Sequence, residues 1–205
     1  EGVKIAAVGT YYTDRICSSG VWKWIKTSGS GNTGWTPQPA ALTLTNLAKN
    51  GDFSTGVTGW VPNGYGVLSV DTPNELTYSG NSVTSGTSVC ISPLVTWASG
   101  HSYYVRYSYY ISDVVSSIYT ESINASFMNT ANPQVVGSWT TVSGIDSTIT
   151  SNSATLTFVA LFTGSSNLGK LFKIRGVSLI DLTATFGAGF EPTKEEMDAY
   201  FSKNA

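Results

Sequence analysis

His101–Ser112, HSYYVRYSYYIS, alternates. Tyr103, Val105, Tyr107, Tyr109 and Ile111 fall on one face of an extended chain, and Tyr104, Arg106, Ser108, Tyr110 and Ser112 on the other. A repeat of two is the β-strand repeat, and aromatic and β-branched residues suit a pleated surface. The first set is the more apolar and is predicted to face a core, which leaves the second facing outward. Ser153–Phe162, SATLTFVALF, alternates in the same way, with Ala154, Leu156, Phe158, Ala160 and Phe162 together. KLFKIRGVSLID supplies a further strand that ends at Asp181. Turn residues cut the rest of 42–181 into short strands, the pattern of an all-β sandwich or barrel.

On either side of this region the character changes. Residues 1–36 read as a short β segment, with VKIAAVGTYYT and VWKWIKT strand-like and SGSGNTGW a turn run. Trp22, Trp24 and Trp35 are more aromatic surface than so small a segment buries alone. They pack either on the next module or on copies of the segment in an oligomer. TPQPAA follows, and its two prolines favour extended backbone, so residues 37–43 are read as a linker. Residues 44–182 form the main module and 183–205 a tail. The tail holds the one predicted helix, PTKEEMDAYFSK, in which Thr193 and Glu196 have capping-box spacing. Met197, Tyr200 and Phe201 make its narrow apolar stripe.

Composition narrows the function classes. Charged residues are 12 % of the 205, about half the usual share, and the net charge is −2. No basic run is present to neutralise a phosphate backbone, which argues against nucleic-acid binding. Apolar runs are too short to span a membrane. Glu1 is followed by no signal-like stretch, as expected of a fragment of a longer chain. Cys17 and Cys90 are two thiols on opposite sides of the module boundary and are expected to be free. The acids are few and scattered, and only Asp113 and Glu121 flank one loop. Catalysis by paired carboxylates is therefore not expected. His101, the single histidine, follows Ser-Gly and reads as a turn-closing residue.

One segment carries a resemblance. LTNLAKNGDFSTGVTGW, Leu44–Trp60, has an Asn-Gly-Asp-Phe turn, a Gly-rich loop and a Gly-Trp. With SGHSYYVRYSYYIS, GSWTTVSG and LFKIRGVSLIDL following in order, it resembles bacterial and phage carbohydrate-binding modules of the jelly-roll class. DLTATFGAGFEPTKEEMDAYF resembles a tail segment of phage tail and prophage structural proteins, and VWKWIKTSGSGNTGWTP is similar to a hairpin of phage tail fibres and spikes. The resemblance implies a jelly-roll β-sandwich with a short N-terminal β segment and one C-terminal helix. It also implies non-covalent binding of a host-surface polysaccharide by a virion protein, and a homotrimer resting on the N-terminal segment. A capping or trimerisation domain that binds no sugar is the alternative reading.

Pyranose rings pack their C–H face on aromatic rings and need fixed partners for their hydroxyls. Tyr104, Arg106 and Tyr110 are the outward row predicted to bind saccharide, with the loop aromatics Trp97 and Tyr65 as further candidates. The same row fits a cross-strand tyrosine ladder. By their positions in the resemblance, Trp60 and Trp139 are expected in the core. The resemblance also implies a structural calcium held by Asp52 and Asp181, with Asn50 as a carbonyl donor. Here the final strand ends Leu-Ile-Asp-Leu where the family has two consecutive aspartates.

Overall fold

The computed structural model describes residues 6–13, 23–29, 33–37, 44–122, 125–131, 135–147, 149 and 153–203. Two compact units divide the chain: Thr45–Glu191 is one, and Glu1–Leu44 with Pro192–Ala205 is the other.

In the smaller unit β1 (Tyr11–Thr13), β2 (Lys23–Lys26) and β3 (Trp35–Pro37) form an antiparallel sheet in the order β1-β2-β3. Pro37, which lacks an N–H, sits on an edge strand where no ladder bond is lost to it. Tyr12 meets Trp35 edge to face at 5.9 Å, and the Lys26 ammonium lies 5.4 Å from the Trp35 ring centre. Cys17, Trp22 and residues 38–43 of the expected linker lie outside the described residues.

The larger unit is a two-sheet antiparallel sandwich. Its strands are β4 (Val61–Pro62), β5 (Gly66–Thr72), β6 (Glu75–Gly80), β7 (Thr87–Thr96), β8 (Tyr103–Ile111), β9 (Val115–Ser122), β10 (Ala125–Ala131), β11 (Thr140–Asp146), β12 (Ser153–Phe162) and β13 (Leu171–Asp181). One sheet has the order β10-β9-β12-β7-β4 and the other β11-β8-β13-β6-β5. Consecutive strands lie mostly in different sheets, as a jelly-roll requires, and the fold is all-β as expected.

The alternation read in the sequence sets the core. Tyr103, Val105, Tyr107, Tyr109 and Ile111 of β8 are buried in it, facing Leu156, Phe158, Ala160 and Phe162 of β12. Phe158 joins the two sheets: its ring meets Tyr107 edge to face at 4.7 Å and lies 5.6 Å from Trp60. β13 would break the pattern if its period ran unbroken, because Phe172 and Ile174 point inward but so do Val177 and Leu179. A bulge between Arg175 and Ser178 restores the parity, and Gly176 supplies its left-handed backbone at φ 60°.

The Asn-Gly-Asp-Phe stretch proves to be a docking turn. Asn46 accepts from the Leu179 and Ala48 amides and donates to the Val177 carbonyl, which ties the entering chain to β13. Gly51 approaches so closely that a Cβ would lie 2.4 Å from the Val177 oxygen, so no other residue fits there without backbone movement. Phe53 is then delivered into the core, edge to face on Trp60 at 5.1 Å.

The tail differs from the expected plan. A second, short helix α1 (Leu182–Phe186) follows β13 and belongs to the sandwich unit. Asp181 caps it through Ala184 N, and Thr183 Oγ1 accepts from Ser102 N while donating to Glu191. These side-chain bonds extend the unit to Glu191, past the boundary at residue 182 read from the sequence. The expected helix is α2 (Lys194–Lys203), and its capping box is present: Thr193 N donates to Glu196 Oε2 at 2.7 Å, and Glu196 N to Thr193 Oγ1 at 3.3 Å. Met197 is its buried residue. No helix among the described residues is long and apolar enough to cross a membrane.

Candidate functional site

The outer face of the β11-β8-β13-β6-β5 sheet carries the row that the β8 alternation turns away from the core. Strand register decides which side chains meet on it. Tyr104 lies between Ile145 and Ile180, Arg106 between Ser143 and Ser178, and Ser108 between Thr141 and Arg175. Tyr110 lies beside Lys173, and its other neighbour is Trp139, the residue just before β11.

The two ends of this face differ. At the first end Tyr104 is 0 % exposed, which corrects the expectation of an open Tyr104. Its register neighbours are isoleucines, Ile180 is itself buried, and α1 is hydrogen-bonded to the start of the strand through Leu182 N to Ser102 O. An apolar end of this kind excludes water. Arg106 is half-buried between the two ends.

At the second end the face is polar and aromatic. Tyr110 and Trp139 are half-buried, with ring centres 5.9 Å apart and planes 50° apart. The guanidinium of Arg175 lies 4.1 Å from the Trp139 ring centre, and the Lys173 ammonium 5.5 Å from that of Tyr110. Lys173 is also paired with Glu75 at 2.6 Å. Beside the rings, Ser108 and Thr141 hydroxyls are bonded at 2.8 Å, with Thr141 exposed. Trp139, expected in the core, is therefore an outer-face residue. It precedes β11 in an irregular stretch, where no alternation indicates a side; only the β8–β11 register places it next to Tyr110.

Of the other expected residues, Trp97 is 2 % exposed and stacks edge to face on Tyr103 at 4.8 Å, so it fills the core and is closed to ligand. Tyr65 is 46 % exposed on the approach to β5, with its backbone carbonyl held by Asn167. It adjoins the β5 edge of the sheet, opposite the β11 edge that carries Trp139.

The residues implied for calcium are engaged otherwise. Asp52 Oδ1 accepts from Ser54 N and Oγ, within its own turn. Asn50 donates to the Gly56 and Thr58 carbonyls and accepts from Thr55 N. Asp181 is shared between the α1 cap and His101 Nδ1, 2.9 Å from its Oδ2. Among the described residues no group of three or more His, Cys, Asp or Glu side chains could hold a metal. Each of the three residues implied for calcium thus already has hydrogen-bond partners of its own.

Three titratable groups away from this face have shifted pKa values with plain local causes. The Asp113 carboxyl is held below the usual carboxylate range by the Val114 amide and then by Lys170, the opposite of what a general acid needs. Cys90 is a free, wholly buried thiol whose pKa burial drives upward, so the reactive thiolate is suppressed. Burial likewise pushes Tyr78 up to about 12.

No family model matches the chain, and no curated protein does. Solved structures with a similar fold include a family 16 carbohydrate-binding module, at 16 % identity and TM-score 0.45, covering 66 % of this chain and 100 % of that one. The N-terminal cellulose-binding domain of Cellulomonas fimi β-1,4-glucanase C matches at 17 % identity and TM-score 0.45, covering 60 % of this chain and 88 % of that one. The enzymatically active domain of tailspike protein 4 of bacteriophage CBA120 matches at 14 % identity and TM-score 0.46, covering 66 % of this chain and 21 % of that one.

Proposed function

We propose that the sandwich unit binds a saccharide, without turnover, on the open end of the β11-β8-β13-β6-β5 sheet. The observation that carries this is the tilted Tyr110–Trp139 pair beside the Ser108–Thr141 hydroxyls. Two rings offer apolar faces to pyranose C–H groups, and hydroxyls at fixed positions orient the sugar's own. The site is thus moved along β8 from the row expected at Tyr104 to the end at Tyr110. By the sequence resemblance, the protein is an adhesion module of a phage tail that acts at the host cell surface as a homotrimer. A shallow face gives weak binding at one site, and three copies raise it by avidity.

A glycan array followed by titration calorimetry tests the site. Tyr110→Ala and Trp139→Ala are each expected to weaken binding about tenfold, the size of one lost aromatic contact, with the melting curve retained. Binding unchanged in both variants would remove this face from consideration. For assembly, light scattering is expected to give three times the 21.7 kDa chain mass, and a monomer at micromolar concentration would refute the trimer. A trimer that binds no glycan on the array would favour the capping role instead.

A further inference from the structure

The open end of the face holds two cations of unequal status. Lys173 and Arg175 are two apart on β13, both outward because Phe172 and Ile174 between and beside them are in the core. Lys173 is neutralised by Glu75 at 2.6 Å. Glu75 is also the register partner of Arg175, so the nearest carboxylate across the ladder is already taken. Arg175 is exposed, and its one described interaction is the stack on Trp139 at 4.1 Å; no carboxylate of the described residues pairs with it. Stacking uses the face of a guanidinium and leaves its five in-plane N–H groups free. The aromatic ring thus holds a charged fork in place, and no described residue takes up its donor edge. Such a fork matches the two oxygens of a carboxylate or a phosphate ester.

We propose that the Arg175–Trp139 stack is an anion subsite, and that the saccharide taken up here is acidic. Its sugar ring meets Tyr110 and Trp139 while its anionic group accepts from the Arg175 edge. This rests on the saccharide reading above and adds the class of ligand.

The test measures affinity for three probes by calorimetry at low and moderate salt: oligogalacturonate, its methyl ester, and poly(glycerol phosphate) bearing sugar substituents. The expected result is that one of the two anionic probes binds at least fivefold tighter than the neutral ester, with a preference that shrinks as salt rises. The tighter probe identifies carboxylate or phosphate as the source. Arg175→Gln is expected to reduce that preference about fivefold, the value of one exposed charge pair at its upper end. Arg175→Lys is expected to recover part of it, since the charge remains and the fork does not. Lys49→Gln, which removes an equal charge from an exposed loop, is expected to leave the preference intact. Equal affinity for ester and acids, or a preference unmoved by Arg175→Gln, overturns the anion subsite and leaves saccharide binding standing. Failure of all three probes and of the neutral array overturns both.

Discussion

Replacing Asn167 by alanine is expected to cost the sandwich about 4 kcal/mol, the sum of two or three buried groups left without partners at roughly 1–3 kcal/mol each. Asn167 is wholly buried between β12 and β13. Its Oδ1 accepts from Ser82 N at 2.9 Å, and its Nδ2 donates to the Thr87 carbonyl at 2.8 Å and the Tyr65 carbonyl at 3.2 Å. One amide therefore satisfies backbone from the approach to β5, the β6–β7 connection and the start of β7. Gly80 accommodates it, since a Cβ there would lie 2.1 Å from the Asn167 carbonyl oxygen. At about 3 °C per kcal/mol for a unit of this size, the melting temperature should fall by roughly 12 °C. Asn167→Asp separates the acceptor from the donors. Burial raises the folded-state pKa of the new carboxyl above its unfolded value, so the folded state binds the extra proton and stability falls as pH rises through about 4 and beyond. Denaturant unfolding at several pH values checks both, and a loss under about 1 kcal/mol for the alanine variant would show that water replaces the amide.

The fold was legible where the period of two was unbroken. β8 and β12 turn inward the residues their alternation selects, and a tyrosine is apolar enough along its ring to count with Val and Ile. β13 was legible as a strand but not in its parity, because a bulge resets the period; the glycine at 176 is the local sign of it. α1 was missed because five residues carry no helical periodicity; its Asp181 cap on Ala184 N is local, but Thr183 is tied to Ser102, 81 residues away. The calcium expectation followed the resemblance alone; in the structure Asp52 and Asn50 bond within their own turn, while Asp181 caps α1 and meets His101.

The site was legible only in part, for a different reason. The sequence shows which side chains of β8 leave the core, but not what lies over them. Tyr104 and Tyr110 share a face and a residue type. One has isoleucines on both adjacent strands and the other a tryptophan and a lysine, and that difference is set by non-local register. Trp97 and Trp139 exchange their expected environments for the same reason: each sits beside a strand end, where alternation gives no direction.

The second large effect is expected at Phe158, where the sheets meet. Phe158→Ala should destabilise the unit by about 3–5 kcal/mol, through lost transfer energy and the cavity left under two rigid rings. The rings cannot collapse into the gap, because Tyr107 is fixed by the hydroxyl of Thr120, which donates to its phenol at 2.7 Å, and Trp60 is wedged against Phe53 at 5.1 Å. Phe158→Leu keeps most of the volume and should cost nearer 1 kcal/mol, the scale of a shape change rather than a cavity. The edge-to-face contact is separable by a double-mutant cycle of Phe158→Leu with Tyr107→Leu, for which a coupling of about 0.5–1.5 kcal/mol is expected. Tyr107→Phe isolates the hydroxyl and should cost about 1–2 kcal/mol, since Thr120 is then left buried with its donor unmatched. Zero coupling in the cycle together with a small Phe158→Ala effect would mean that the sheets are held by the flanking aliphatic residues, and that the aromatic cluster is incidental to the sandwich.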